Sequence, residues 1–253
     1  MTCKVSVVTV CRNAEATISA TIRSVALQTY SNYEHVIVDG CSTDATVEIV
    51  RRATGPKVML ISEPDDGLYD AMNKGVRRSL GDAVSFLNAD DTYADANVLA
   101  DVAEVFSATN ADFVYGDLLM VDSRGRIQRE WKAGKLSSKG LTGSQLPHPS
   151  QFIKREVLSM ISPPFDPTYR IAADLKQQLT LINKMHAVGV YLRRPLVRMA
   201  LGGTSTSSAK SYIQGWRESR RAYNELFGRG GTWFTVRKVL SKVKSIRLGR
   251  VSG

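Results

Sequence analysis

The chain has no run approaching the roughly 18 consecutive apolar residues a membrane-spanning helix needs. Its start, MTCKVSVVTV, lacks a charged segment followed by a long apolar signal stretch, so the chain is expected to stay in the cytoplasm. Cysteine is scarce. Cys3, Cys11 and Cys41 are odd in number, lack metal-ligand spacing and fall at or near the ends of expected strands, which reads as reduced structural thiols. No G-x-G-x-x-G follows the first expected strand and no G-x-x-x-x-G-K-[ST] occurs anywhere, which argues against a dinucleotide enzyme and a P-loop phosphotransferase. Any phosphate charge must be met by other means. Fixed-period repeats and low-complexity segments are absent as well.

What is present is ample apolar material and an uneven charge. With 43% hydrophobic residues in 253, a real core is within reach. Residues 207–253 hold 11 of the 34 bases and two of the 24 acids, Glu218 and Glu225, leaving 23 bases and 22 acids in residues 1–206. The body is near neutral and the tail carries the excess, which suggests an anionic partner local to the tail, nucleic acid or an acidic membrane face.

The β-branched run KVSVVTV (4–10) reads as a buried strand, followed by a turn and a helix over about 15–28. EHVIVDG (34–40) is the next strand, Ser42 or Thr43 can cap a helix reaching about 53, and KVMLIS (57–62) is a third strand. A helix near 68–80, a strand over 82–88 and a helix over about 94–107 complete the alternation, which predicts a mostly parallel α/β sheet covered on both faces. After residue 110 the rhythm changes: DFVYGDLLMV and RIQREW flank DSRG, a hairpin pattern, so the second half is expected to be mixed. Residues 134–150, rich in Gly, Ser and Pro, read as a long loop of the kind that is often functional.

Ligands of parallel α/β sheets bind beyond the carboxyl ends of the strands. Those positions here are Asn13 and Glu15, then Asp39, then Glu63 with Asp65 and Asp66, then Asn88, Asp90 and Asp91. Bare carboxylates repel a diphosphate, whereas a bound Mg²⁺ or Mn²⁺ joins the two. Taken singly, Asp91 reads equally well as a helix cap and Asp39-Gly40 as a tight turn. The conjunction of acids after successive strands favours a nucleotide site.

Three stretches carry a family likeness: residues 5–50, from VSVVTVCRNAEATIS to VDGCSTDATVEIV, then SEPDDGLYDAMNKG, then FLNADD. Over about residues 4–195 the chain resembles family 2 glycosyltransferases of the GT-A fold, most closely the bacterial enzymes of colanic acid, O-antigen and exopolysaccharide synthesis. The resemblance implies Asp39 as the acid that binds the nucleotide base, Asn73 and Lys74 against the nucleotide, and NADD as the acidic metal motif D-x-D. Asp90 is then the primary metal ligand with Asp91 its neighbour. Asn88 replaces the first acid of that motif, leaving it to ribose or metal-bound water and leaving open which acid touches the ion. The division implied is a glycosyltransferase domain over 1–206, with a nucleotide-sugar half (1–110) and an acceptor half (111–206), and a basic helical extension over 207–253.

Inverting transfer needs a base near the acceptor hydroxyl. Asp174, at a helix start in FDPTYRIAADLKQQLTLI, matches the family's acceptor-side acid, with Asp166 in reserve; the competing reading of Asp174 is a helix cap. His148 is either a further metal or diphosphate ligand or a packing histidine. The Q-x-x-R-W signature of processive synthases is missing, since QGWR (214–217) has the wrong spacing. One sugar per encounter is expected, from a nucleotide-diphosphate (UDP-linked) donor to a glycan or lipid-linked oligosaccharide. As a helix, residues 233–248 would line up Trp233, Val236, Val239, Leu240, Val243 and Ile246 with Arg237, Lys238, Lys242 and Lys244 mostly elsewhere and Arg247 within the stripe, an imperfect amphipathic helix suited to an anionic leaflet, so the protein is expected on the inner face of the cytoplasmic membrane. Removing that tail should leave the catalytic carboxylates untouched. Two other readings are a GT-A relative that binds nucleotide sugar without transferring it, and a basic nucleic-acid-binding protein using the tail.

Overall fold

The β-branched opening run becomes the middle of the sheet. The computed structural model describes residues 2–53, 55–201 and 209–248, with side chains except at 209 and 242–248. Strand β1 (Val5–Cys11) is buried along its whole length and pairs in parallel with β2 (Tyr33–Asp39). Beyond β2 lies β3 (Val58–Ser62), and on the other side of β1 lies β4 (Ala83–Phe86), both again parallel. The helices between them are α1 (Ile18–Ala26), α2 (Thr46–Arg52) and α3 (Leu68–Arg78), so the alternation expected from sequence is what forms. Helix α2 departs from expectation at its start. It begins at Thr46 with no side-chain cap, because the Ser42 hydroxyl is spent on Asp39.

The second half is mixed, as the change in rhythm suggested. After the short β5 (Thr92–Tyr93) and α4 (Val98–Ala108), β6 (Phe113–Val121) and β7 (Ile127–Trp131) form the hairpin, with Asp122 accepting the N–H groups of Arg124 and Arg126 in its turn. Strand β8 (Gln151–Lys154) runs antiparallel between β4 and β6, joining the halves into one sheet. Helices α5 (Arg155–Ser159) and α6 (Ala173–Gln178), the latter continued by a π-helical stretch (Leu179–Lys184), precede β9 (Gly189–Ala200). The strand order is β3-β2-β1-β4-β8-β6-β9-β5, with β7 beside β6.

Side chains alternate across this sheet, so its two faces build two cores. Val8, Val36, Tyr69, Phe86, Tyr115, Phe165 and Leu175 fill one, and Val7, Leu87, Tyr93, Val102, Phe106 and Phe152 the other. Helices α7 (Ala209–Phe227) and α8 (Gly231–Leu248) join the first of these through Ala222 and Phe234. Phe234 stacks on Tyr223 with ring centroids 4.8 Å apart, and burying such a ring is worth about 1.5–3 kcal/mol. The basic tail is therefore docked, and its truncation would cut into the core, contrary to the clean removal expected from composition. Its docked face is Phe234 and Lys238, whereas Trp233, Val236 and Leu240 are exposed and Val239 is half-buried. The side chains of Lys242, Val243, Lys244, Ile246 and Arg247 lie outside the described residues. No helix among the described residues is long and apolar enough to cross a membrane.

Candidate functional site

The loops after β1 and β2 are sewn to each other. Asn13, at φ +51°, donates its N–H to the Ser42 hydroxyl (2.8 Å) and accepts the Thr43 N–H on its side-chain oxygen (2.9 Å). Glu15 accepts the N–H of Ala45 at 2.9 Å. Asp39 lies beneath them with no solvent exposure. It accepts the Ser42 N–H (3.0 Å), the Ser62 hydroxyl (2.7 Å) and the Ser42 hydroxyl, which turns its carboxylate inward as the base of the loop. The surface above it belongs to Asp65: a side chain at Gly40 would collide with the Asp65 carboxylate.

Lys74 pins that Asp65 loop, pairing with Glu63 at 3.1 Å and Asp70 at 3.5 Å and donating to the Pro64 carbonyl. Loss of solvent pulls its pKa down, but these partners outweigh that and hold it above the ordinary lysine value. Asn73 is spent differently from the nucleotide contact the resemblance implies. Its amide donates to the Phe165 carbonyl (2.7 Å) and accepts the Phe165 N–H (3.0 Å), so it clasps the segment around Phe165 to α3.

Past β4 the two adjacent acids separate in role. Asp90 is exposed, whereas Asp91 is 1% exposed and accepts the Asn88 amide (3.2 Å) and the Ala200 N–H (3.3 Å). Burial first, and then the Asp90 charge, push the Asp91 carboxyl up to about 8. Neither Asp91 nor the Asp at 174 serves as a helix cap. The Asn88 side-chain oxygen is buried and unpartnered, leaving it beside Asp90 as an available acceptor. No three His, Cys, Asp or Glu side chains among the described residues gather as a metal cluster, so Asp90, Asp91 and His148 are not brought together as a ready-made set.

His148 instead links the two halves. Its ring stacks on Phe86 at the end of β4 (5.3 Å, 26°) and meets Phe165 edge-on (5.5 Å). Burial lowers its pKa, the nearby Asp174 charge opposing, and both ring nitrogens are buried without a protein partner. A neutral imidazole with a free lone pair results. Asp174, half-buried in the first turn of α6, accepts the Gln145 amide at 2.6 Å and approaches the Tyr69 hydroxyl at 3.5 Å. Tyr69 opens α3 directly after the Asp65 loop, and its burial raises its pKa well above the usual value, which keeps it a proton donor. Phe86, His148, Phe165 and Tyr69 thus form one aromatic cluster, and the Tyr69 hydroxyl joins it to Asp174. Asp166, the reserve acid, is committed to Lys176 (2.7 Å) and to Thr168; burial would raise its pKa, but these bonds hold it below the ordinary carboxylate value. Sequence reasoning passed over Tyr69 and Gln145, although an aromatic residue inside GLYDAMNKG is a clue to the first.

Residues 6–158 match the family described as glycosyl transferase family 2. A PGL/p-HBAD biosynthesis glycosyltransferase of Mycobacterium tuberculosis is 34% identical over 166 residues, covering 64% of this chain and 63% of that protein. The Escherichia coli UDP-Glc:alpha-D-GlcNAc-diphosphoundecaprenol beta-1,3-glucosyltransferase WfgD is 32% identical over 124 residues, 49% of each chain. The chain thus spans less than two thirds of the length of these relatives. Among solved structures, S. aureus TarS 1-349 in complex with UDP-GlcNAc superposes with TM-score 0.65 at 20% identity, covering 99% of this chain and 74% of that one. The mannosyltransferase PcManGT from Pyrobaculum calidifontis, in complex with GDP-Man and Mn²⁺, gives 0.65 at 17% identity, covering 99% and 77%. These likenesses establish the fold, which is GT-A.

Proposed function

We infer a function from one premise: the chain belongs to glycosyl transferase family 2 and is a glycosyltransferase. We propose that it moves a single sugar, with inversion, from a UDP-linked donor to a lipid-linked glycan in cell-surface polysaccharide synthesis. The observation that supports this is the packing of His148 on Phe86 at the end of β4, close enough to Asp174 to feel its charge. UDP is favoured because TarS is solved with UDP-GlcNAc and WfgD is named for UDP-Glc. WfgD's name also gives a diphosphoundecaprenol acceptor, the source of the lipid-linked reading.

In this reading Asp65 meets the base above Gly40, and Asp39, with Ser42, Ser62, Asn13 and Glu15, holds that surface in shape. Lys74 fixes the same loop, and Asn73 holds the Phe165 backbone against α3. Asp90 would hold a divalent ion, Mg²⁺ or Mn²⁺, with Asn88 and Asp91 as support, and His148, not gathered with these acids, would serve the diphosphate. When bound, such an ion neutralises the departing diphosphate. Asp174 takes the acceptor hydroxyl proton as that oxygen attacks the anomeric carbon from the face opposite the leaving group. Exposed Trp233, Val236 and Leu240 with the tail's bases bring the enzyme to an anionic membrane face.

The test is a thermal-shift panel of UDP-glucose, UDP-N-acetylglucosamine and GDP-mannose with and without Mn²⁺. A ligand at a hundred times its Kd stabilises by about 2.7 kcal/mol, which for a chain of this size raises Tm by several degrees. A UDP-sugar should do so only with Mn²⁺. No shift with any of the three would overturn the reading.

A further inference from the structure

Helix α6, which carries Asp174, has no side-chain cap at Ala172, although the first N–H groups of a helix lack partners within it. The donors leading into it converge on one distant carboxylate. Glu218, on α7, accepts the N–H groups of Arg170 (3.1 Å), Ile171 (2.8 Å) and Ala172 (2.9 Å), and a fourth bond from Gln214 (3.0 Å). Glu218 is 8% exposed, and a buried charge is tolerable only when hydrogen-bonded in this manner. The fit is mutual: the three backbone donors hold the carboxylate, and the carboxylate fixes the turn that sets where α6 begins.

The other acid of the tail is spent on the same segment. Glu225 accepts the Tyr169 hydroxyl (2.8 Å) and the Lys176 ammonium (2.6 Å). On the far side of Asp174, α8 packs so tightly on the loop bearing Gln145 that a side chain at Gly143 would collide with Arg237, and the Ser241 hydroxyl donates to the Gly143 carbonyl at 3.3 Å. Both shells of Asp174 thus rest on the C-terminal helices.

We propose that Glu218 is a positioning residue for Asp174, so that the basic tail completes the acceptor-side machinery. This rests on the reading of Asp174 as the base, since Glu218 acts only through the start of α6. Small displacements of a reacting group cost up to about 10²-fold in rate.

The test uses the full chain, with hydrogen exchange at residues 170–176, UDP affinity by calorimetry with Mn²⁺, and UDP-N-acetylglucosamine turnover. Glu218→Ala should speed exchange at 170–172 and lower kcat about tenfold or more while UDP affinity stays within about twofold. Glu218→Gln, which keeps one acceptor oxygen, should fall between it and the parent. Phe106→Ala, which weakens the other core far from these helices, should lose Tm without the loss of kcat. Unchanged exchange at 170–172, or an equal fall of kcat in Phe106→Ala, overturns the proposal. Where Glu218→Ala does not fold, parental exchange and kcat in Glu218→Gln overturn it. Should the parent itself fail to turn over or bind the nucleotide, the functional reading falls, while the exchange data still decide whether Glu218 holds this turn.

Discussion

The surroundings of Asp39 and Asp65, proposed as the donor side, and those of Asp174, proposed as the acceptor side, are built from opposite kinds of contact. Around Asp39 and Asp65 each side chain is held by loops that follow neighbouring parallel strands, and the stitching uses short polar groups, Asn13, Ser42 and Ser62. Around Asp174 the partners come from everywhere: Tyr69 from α3, Gln145 from the long loop, Glu218 through the turn at 170–172. The donor side is a property of a motif, the acceptor side a property of the assembled chain. Damage far from the site should therefore reach Asp174 sooner than Asp65.

Four measurements press on that contrast, beginning with the largest effect. Asp174→Asn keeps the shape but loses the proton acceptor, so turnover should fall by about 10² or more with UDP affinity nearly unchanged. Near-parental transfer would hand the role to another acid. Asp90→Ala should remove most Mn²⁺-dependent UDP affinity and leave Tm of the free protein within a few degrees; calorimetry returning the parental affinity would reject Asp90 as the ion's ligand.

The third concerns acid and the donor sheet. His35 on β2 is 1% exposed beside the Thr9 hydroxyl (2.9 Å), and burial lowers its pKa from 6.5 to about 3. Between those values the unfolded chain binds the proton and the folded chain does not, so this stability is fully present above pH 6.5 and drains away as pH falls toward 3. At pH 5 the loss should be on the order of 2 kcal/mol. His35→Gln should flatten that part of the Tm-pH curve, and a variant with the parental slope would assign it elsewhere. The smallest effect is expected at the surface. Trp233→Ser with Val236→Ser and Leu240→Ser should weaken binding to vesicles of anionic lipid several-fold while leaving kcat on a soluble acceptor unchanged, because all three side chains point away from the docked face. Steep, salt-dependent binding of duplex DNA with no binding to vesicles would instead favour nucleic acid as the tail's partner.

The same contrast explains what sequence alone could reach. Strands such as Val5–Cys11 and Tyr33–Asp39 form where β-branched residues run together, and the acids after them follow from position in the chain, so both were legible. Asn73 was placed correctly on α3, but nothing local tells that its amide meets the backbone of Phe165. In the sequence Glu218 is only one of the two acids of a basic helical extension. Only the packing of α7 on the turn before α6 gives it three backbone donors, and no periodicity encodes that.

Synthesis adds a temporal side to the Glu218 contact. A chain leaves the ribosome amino end first, and its early parts fold as they emerge. The loops that hold Asp39 and Asp65 draw on residues close behind them, so they can close while translation continues. The turn before Asp174 waits for a carboxylate encoded well downstream. The helix bearing Asp174 reaches its final setting only once α7 has emerged, so this turn is completed after the loops of Asp39 and Asp65.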